Sequence, residues 1–201
     1  MLRRGGLALL LLAASAALGC ARTVVSESFP ALDERRAPVL RIAVAPLLAR
    51  PESAAAAASV VARQLADALV ARGALVVRPE EVARAGASAE GRAAVPELAA
   101  AVASQLGADA LVLGEITRWV EREGGAAGSV RPAAVGLRVE LFGAPDGKRL
   151  WQGEFDRTQQ SLLENVLLTL RYPGGGTRWL TAEEFAQFAA SELAAALPLG
   201  R

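Results

Sequence analysis

Two stretches in which apolar and polar residues alternate, joined by a turn signal, constrain the fold most strongly. In AVGLRVELF, every second residue from Val135 to Leu141 is apolar, and Arg138 and Glu140 are among the residues between them. RLWQGEFDRT alternates in the same way after the turn APDGK, whose Asp146-Gly147 pair is typical of tight hairpins. A period of two is that of a half-buried strand. The pattern therefore predicts an antiparallel hairpin with one apolar face.

The preceding half of the chain predicts three strands separated by helices. Apolar residues at helical spacing fill the two intervals: one helix begins at the candidate N-cap Ser53 and ends at Gly73, and the other ends at Gly107. Strands joined through helices pair in parallel with right-handed crossovers. The stretches that begin as buried strands are VLRIAVAPL (39–47), ALVVRP (74–79) and ADALVLGEITRWVERE (108–123).

Two helices are predicted at the C-terminal end, each with a capping box, in which a serine or threonine and a glutamate three residues later bond to each other's backbone. Ser161 and Glu164 begin SLLENVLLTL, and Thr181 and Glu184 begin TAEEFAQFAASELAAAL. The apolar stripes predicted for these helices are Leu163, Val166, Leu167 and Leu170, and Phe185, Phe188, Ala189 and Leu193. We therefore predict an α/β domain (α+β, mixed sheet) of two or three layers: a β-α-β-α-β start, an antiparallel hairpin and two C-terminal helices.

The N-terminal segment is typical of an export signal. A pair of arginines gives a basic start, residues 7–17 are apolar, and small residues follow. The apolar run is well short of the ~20 residues that a membrane-spanning helix needs. We predict a signal peptide at 1–19, an irregular tether without strand or helix period at 20–38, and one folded periplasmic domain at 39–201.

The end of this signal, ALGC at 17–20, resembles the lipobox of bacterial lipoproteins. In that family the cysteine thiol receives a diacylglyceryl group, the signal is removed, and the new amino terminus is acylated. The resemblance implies that Cys20 carries fatty acyl chains that hold the protein at a membrane. Ala21 in the next position implies the periplasmic face of the outer membrane. The alternative is a secreted protein with one free thiol, which an oxidising compartment disfavours.

Composition excludes many kinds of active site. The sequence has no histidine and one cysteine, which excludes Ser-His-Asp and Cys-His catalysis, histidine-containing zinc sites, thiolate metal clusters and internal disulfides. Its 22 basic and 21 acidic residues are interspersed and give a net charge of +1, so no basic stripe indicates a nucleic-acid partner. We predict no catalytic residue, no metal and no cofactor.

The order of the elements and two stretches of sequence resemble a superfamily of periplasmic lipoprotein domains. The stretches are IAVAP at 42–46 and LGADALVLG at 106–114, where a helix ends and passes directly into a buried strand. The superfamily includes the curli secretion channel subunit, the lipoprotein activators of penicillin-binding proteins and the N-terminal domain of the Tol-system propeller protein. The resemblance covers 39–158, implies a generally non-enzymatic domain, and carries over no catalytic residue.

Six residues are candidates for a partner-binding site. Tryptophan and arginine are the residue types that most often anchor protein interfaces. The motif TRW occurs twice, near the glycine-rich stretches GGAAGSVRP and RYPGGGTRW, which are predicted to be flexible loops. A pair of glutamines follows the hairpin, where the amides either end the strand or offer an edge to another backbone. The candidates are Arg118, Trp119, Gln159, Gln160, Arg178 and Trp179.

Two other patterns favour structural roles. PGGGTRW, at 173–179, lacks the lysine and the preceding strand of a phosphate-binding loop. The acidic pairs Glu121/Glu123 and Glu183/Glu184 lie at a strand end and in the first turn of a helix, where carboxylates are expected without catalysis.

These features predict a lipoprotein anchored in the outer membrane that acts as a non-enzymatic adaptor or assembly factor. Its partners would be the membrane, through the lipid on Cys20, and another envelope protein or a copy of itself. The alternative is a subunit of an oligomeric outer-membrane secretion channel, which would require segments able to enter the bilayer as strands. An envelope hydrolase is disfavoured because the sequence lacks histidine.

Overall fold

A computed structural model describes residues 23–34, 38–85, 95–144, 146–161, 163–164 and 166–199 of the protein. The predicted signal peptide and Cys20 lie outside these residues. The strands are β1 (Val25–Ser28), β2 (Arg41–Val44), β3 (Leu48–Ala49), β4 (Leu75–Val77), β5 (Ala110–Val120), β6 (Glu123–Gly124), β7 (Ser129–Arg131), β8 (Ala134–Gly143) and β9 (Arg149–Thr158). The helices are α1 (Pro30–Asp33), a 3-10 helix (Glu52–Ala57), α2 (Ala58–Ala71), α3 (Pro79–Arg84), α4 (Val95–Leu106), α5 (Val166–Thr169) and α6 (Ala182–Ala196).

Seven strands form one mixed sheet in the order β1-β9-β8-β5-β2-β4, with β3 beside β5. β2 pairs in parallel with β4 and β5, as the β-α-β-α-β pattern predicts. β5, β8 and β9 are antiparallel neighbours. β8 and β9 form the predicted hairpin, with Leu141 opposite Trp151 and their side chains both buried. The predicted mixed α/β fold is confirmed.

Helices cover the two faces of the sheet unequally. α2 and α6 pack over the main core on one face, whose largest buried side chains include Trp151, Phe155 and Phe185. On the other face, Val82 of α3 and Val102 of α4 pack against apolar residues of β2, β4 and β5. The β8–β9 part of that second face carries polar side chains. The domain therefore has three layers at its parallel end and two at its antiparallel end.

One helical stretch among the described residues, Glu52–Ala71, is long and apolar enough to cross a membrane. Its apolar side is nevertheless part of the main core, since Val61 and Leu69 are fully buried there. The stretch begins as a 3-10 helix with Pro51 at the N-cap position and no side-chain cap. The prediction that Ser53 caps this helix is therefore wrong, because Ser53 lies inside its first turn.

The segment predicted to be an irregular tether contains part of the fold. β1 pairs antiparallel with β9, and Val25 lies opposite Glu154. Val24 before the strand and Leu32 in α1 are buried in the main core. The four residues of β1 are all exposed, so they show no apolar alternation in the sequence. The strand forms because it pairs the backbone groups along the edge of β9, which would otherwise be left open.

The first of the two predicted C-terminal helices is much shorter than its pattern suggests. Among the described residues of this stretch, only the four of α5 are helical, and the leucines of the predicted stripe are on the wrong side. The side chain of Val166, the other residue of that stripe, lies outside the described part of the chain. Leu163, Leu167 and Leu170 are 96%, 81% and 59% exposed. Leu168 and Tyr172 are buried in the main core instead. The stretch thus turns a different side to the core from the one that the leucine spacing predicts.

The two glycine-rich stretches contain defined structure. β6 and β7 pair as a small antiparallel hairpin within and beside the first stretch. In the second, Gly174, Gly175 and Gly176 have φ values of 78°, 67° and 73°, in the left-handed region that favours glycine. Gly176 lies against Thr169, because a Cβ atom added to it would come within 2.5 Å of the Thr169 carbonyl oxygen. This loop therefore packs closely on α5.

Candidate protein-binding site

Gln159 joins the end of β9 to the loop before α6. Its side chain is 3% exposed. The amide nitrogen donates a hydrogen bond to the carbonyl oxygen of Arg178 at 3.0 Å, and the amide oxygen accepts one from the backbone N–H of Leu180 at 2.7 Å. Its own backbone N–H donates to the carbonyl of Ala133. The amide of Gln159 was predicted either to end the strand or to offer an edge to another backbone. The structure supports the first role, because the amide bonds within the domain.

Arg178 and Glu184 form a two-pronged ion pair at the start of α6. The two guanidinium nitrogens donate to the two carboxylate oxygens at 2.8 and 2.7 Å. This bond lowers the pKa of Glu184 to about 2 and raises the pKa of Arg178. Because a bidentate pair restricts both side chains, Arg178 holds the loop against the helix, and its guanidinium is committed within the domain.

Three groups satisfy the first turn of α6. The hydroxyl of Thr181 accepts a hydrogen bond from the N–H of Glu184, and the Glu184 carboxylate accepts one from the N–H of Thr181, which confirms the predicted capping box. Both carboxylate oxygens of Glu121 accept the N–H of Ala182 at 3.1 and 3.3 Å. Glu121, at the end of β5, therefore stabilises the helix N-terminus. This agrees with the prediction that Glu121 has a structural role.

Arg118 crosses the sheet from β5 to β9. Its guanidinium donates to a carboxylate oxygen of Asp156 and to the hydroxyl of Thr158, both at 2.8 Å. Gly136 on β8 lies between Arg118 and Asp156 in the strand register. A Cβ atom at Gly136 would approach the Cβ atom of Arg118 to 2.9 Å, so the missing side chain leaves room for this crossing. The side chain of Arg118 remains partly exposed.

The two tryptophans of the candidate site have different surroundings. Trp119 is half-buried and packs against the main core. Trp179 is also half-buried, and its backbone is held on both sides, since its N–H donates to the carbonyl of Ala126 at 2.8 Å and its carbonyl accepts from Arg122. The β6–β7 turn and the loop before α6 are thus joined through the Trp179 backbone.

Five of the six predicted residues line two adjoining depressions. One depression, of about 190 Å³, is lined in part by Arg178, and the other, of about 460 Å³, is lined in part by Arg118. Both share Gln159, Gln160 and Trp179. Trp119 is absent from both linings. The structure therefore brings Arg118, Gln160 and Trp179 together on one surface, which we call the β9-end surface, with Gln159 and Arg178 as its internal supports.

An ionic strip across the uncovered sheet face was not predicted. Glu115 is buried, and its carboxylate accepts hydrogen bonds from Arg50 at 2.8 Å and from Arg138 at 3.3 Å. Arg138 also contacts Glu154 at 3.4 Å. Arg138 on β8 and Glu154 on β9, together with residues of β1, line a depression of about 260 Å³. The polar positions of the alternating hairpin, where Arg138 lies opposite Glu154, were the signal that could have revealed the strip.

Neither surface has the groups of an obvious reaction centre. Among the described residues, no three histidine, cysteine, aspartate or glutamate side chains are grouped so that they could hold a metal ion. The carboxylates of Asp156 and Glu184 at the first surface, and of Glu115 at the second, each pair with arginine. Such pairs suit shape and charge complementarity with another macromolecule.

Comparisons with known proteins give matches among solved structures only. No protein-family model and no curated protein sequence matches the chain. Among solved structures, lipoprotein GNA1162 from Neisseria meningitidis matches with a TM-score of 0.46 at 22% identity, over 64% of this chain and 90% of that one. The C-terminal domain of LpoB from Salmonella enterica matches with a TM-score of 0.41 at 19% identity, over 64% and 89%.

The match with the PelC dodecamer from Paraburkholderia phytofirmans is more extensive. Its TM-score is 0.53 at 18% identity, and it covers 89% of this chain and 99% of the PelC chain. At this identity the match shows the fold alone. The match is not confined to one part of the fold, because it covers nearly the whole of both chains. The chain therefore has the fold of PelC.

Proposed function

We propose that the chain is a lipoprotein of the bacterial outer membrane that acts without catalysis, as an adaptor or assembly factor that binds another envelope protein. The observation that carries this proposal is the β9-end surface. It presents Arg118 and Trp179, residue types that anchor interfaces, over a frame whose charges and amides bond within the domain. A preorganised frame of this kind lowers the entropy lost on binding.

The membrane anchor in this proposal is Cys20. The export signal and the ALGC sequence support lipidation of this residue. Several acyl chains would hold the domain at a membrane far more firmly than one chain, which binds only reversibly. A protein that works beside a membrane in this way needs a surface for its partner and no reaction centre.

A second candidate is a subunit of a homo-oligomeric assembly at the outer membrane, such as a secretion channel. The matched PelC structure is a dodecamer, and the match covers 99% of the PelC chain. In our chain the apolar face of the β8–β9 hairpin is buried, with Leu137 and Phe155 in the main core. Insertion of this hairpin into a bilayer would remove that core, so an assembly of this chain would form through folded domains.

Site-specific photo-crosslinking in cells tests the proposal and separates the two candidates. A photoreactive residue replaces Gln160, which is exposed on the β9-end surface, and in the control it replaces Gln105, which is exposed on α4. We expect position 160 to give one discrete adduct and position 105 to give none. An adduct with a different envelope protein supports the adaptor, and an adduct with a second copy supports the oligomer. Equal yields at the two positions would exclude the β9-end surface as the binding site.

The native mass of the detergent-extracted lipoprotein gives an independent measurement. A monomer or dimer is expected for an adaptor, whereas a ring of many copies is expected for a channel subunit. The intact mass of the same sample shows whether the chain begins at a lipidated Cys20. A chain without lipid would contradict the anchor in both candidates.

A further inference from the structure

Three exposed leucines lie in one short segment of the surface. Leu163, Leu167 and Leu170 follow one another at intervals of four and three residues around α5. Exposed apolar residues grouped in this way mark a contact with another apolar surface, whereas single ones are ordinary. The other large apolar side chains that are exposed in the described part of the chain are spread over several elements: Val25, Leu40, Val70, Leu75 and Val130.

This leucine segment adjoins the point where the chain enters the fold. The hydroxyl of Thr23 donates a hydrogen bond to the carboxylate of Glu192 in α6. Arg171, which directly follows Leu170, donates to both oxygens of the same carboxylate at 2.5 and 2.6 Å. The first described residue and the end of the leucine segment therefore share one partner. The charges of Arg171 and Glu192 compensate each other, which leaves this surface without an unpaired charge from either group.

Little chain separates this point from the proposed lipid. Cys20 is three residues before Thr23, and three extended residues span only ~10 Å. The chain has no slack beyond Thr23, because Val24 is buried and β1 pairs with β9. Acyl chains on Cys20 would therefore enter a bilayer within about that distance of Thr23, and the surface around Glu192 would face the membrane.

We propose that Leu163, Leu167 and Leu170 insert into the same membrane leaflet that holds the acyl chains of Cys20. The inference rests on the lipidation in the proposed function. The lipid already holds the domain at the membrane, so insertion of the leucines is an intramolecular step at high effective concentration. Burial of their side chains in the leaflet is favourable because each is now largely in water. The two attachments together give the domain one orientation on the membrane.

The lone cysteine makes a direct measurement possible. A lipidated Cys20 has no free thiol, so in the full lipidated chain Leu167→Cys would introduce the one thiol that a fluorophore can label. Leu75→Cys is the matched control, since Leu75 is also exposed but lies on β4, at the opposite edge of the sheet from β1. Each labelled protein is reconstituted into phosphatidylcholine–phosphatidylglycerol vesicles with and without brominated acyl chains, which quench a fluorophore by contact.

We expect brominated lipid to quench the label at position 167 and to shift its emission to the blue, and to leave the label at position 75 unchanged. Adding Leu163→Ser and Leu170→Ser should reduce the quenching at position 167. Equal quenching at 167 and 75 would overturn the proposal. A blue-shifted label at 167 that brominated lipid does not quench would also overturn it, because the leucines would then contact a protein or a second copy.

The intact mass of the wild-type chain separates this result from the test of the proposed function. If the mass shows lipid on Cys20 and position 167 is not quenched, insertion fails and the lipoprotein assignment stands. If Cys20 carries no lipid and reacts with the fluorophore, both fail. The melting temperature of each labelled variant, which we expect to equal that of the unlabelled protein, controls for damage to the fold.

Discussion

The stretches that begin at Ser161 and at Thr181 start with the same kind of motif and form very different structures. Thr181 begins α6, a helix of 15 residues with a complete capping box. In the stretch after Ser161, the four residues of α5 are the helical ones among those that the structure describes. The backbone N–H of Ser161 does donate to the Glu164 carboxylate, at 2.6 Å. One of the two capping-box bonds is therefore present after Ser161, yet α5 begins only at Val166.

Packing explains the difference. The apolar side of α6 faces an aromatic cluster, in which the ring of Phe185 lies 5.7 Å from that of Phe155 and 5.5 Å from that of Tyr172. Leu163, Leu167 and Leu170 have no such surface within the described domain, because they are exposed. Among the described side chains of α5, only Leu168 reaches the main core. Short helices in water are marginal without burial of an apolar side. A capping-box sequence therefore does not by itself produce a helix, and the longer helix forms where an apolar side meets the core.

Removal of a core side chain from α6 should lower the stability of the domain more than any other change described below. Phe185→Ala deletes a fully buried ring and leaves a cavity among the other aromatic rings. We expect it to lower the free energy of unfolding by about 3–5 kcal/mol, measured by urea denaturation. Leu163→Ala is the control and should change stability by less than about 0.5 kcal/mol. Similar losses for the two variants would mean that the leucine segment also belongs to the core.

A side chain at Gly176 should separate the loop from α5. Gly176→Ala places a methyl group at a left-handed φ and within 2.5 Å of the Thr169 carbonyl oxygen. We expect a loss of about 1–3 kcal/mol in the free energy of unfolding. Gly175→Ala is the matched control, because it has a left-handed φ but no atom within 4 Å of an added Cβ. If both variants lose the same stability, the backbone conformation alone is responsible, and the contact with α5 contributes nothing.

Thr181 and Ser161 should contribute different amounts to the free energy of unfolding. Thr181→Ala removes the acceptor for the N–H of Glu184, and we expect it to lower the free energy of unfolding by ~1 kcal/mol. Ser161→Ala should lower it by less than half of that, because Ser161 lies five residues before α5, which is a single short turn. Thermal melts of the two variants and the parent protein measure both values. Equal losses would contradict the conclusion that the helix after Ser161 adds little to stability.

The smallest expected effect is on the way in which stability depends on pH. Arg178 lowers the pKa of Glu184 from its ordinary value of 4.5 to about 2. In the unfolded chain the carboxylate takes up a proton at the higher pH, so its stabilising contribution is complete above about 4.5 and is lost as the pH falls toward 2. Glu184→Gln should therefore show a shallower fall in melting temperature over that interval than the parent protein.

Glu164→Gln is the corresponding variant in the shorter stretch. Hydrogen bonds from Ser161 also lower the pKa of Glu164, but its carboxylate is exposed to solvent. We expect this variant to change the pH dependence of the melting temperature less than Glu184→Gln does. A larger change for Glu164→Gln would show that the Ser161 motif, and not the Arg178–Glu184 pair, is the more strongly coupled to folding.

The parts of the fold that the sequence predicts are those in which a local pattern and the core agree. The β8–β9 hairpin alternates strictly because one face packs on α6 and the other carries Arg138 and Glu154. β1 could not be found in this way, since its residues are all exposed and its pairing partner is distant in the sequence. The leucines after Ser161 have helical spacing, but a period does not say whether a core exists on that side.

The candidate site could be predicted in part. Residue type and position among the loops bring together Arg118, Gln160 and Trp179, which share the β9-end surface. The internal roles of Gln159 and Arg178 depend on partners on the far side of a loop, which no local pattern reveals. Trp119 follows Arg118 directly, yet it packs against the core and lines neither depression.

The pairing of β1 with β9 has a consequence for the order of events during export. β1 stands near the front of the chain, whereas Glu154, the residue opposite Val25, belongs to the last quarter. If the chain is exported amino terminus first, as the proposed function requires, β1 would enter the periplasm long before its partner arrives. The pairing of β1 with β9 would then be completed only after the time at which the proposed processing at Cys20 can begin.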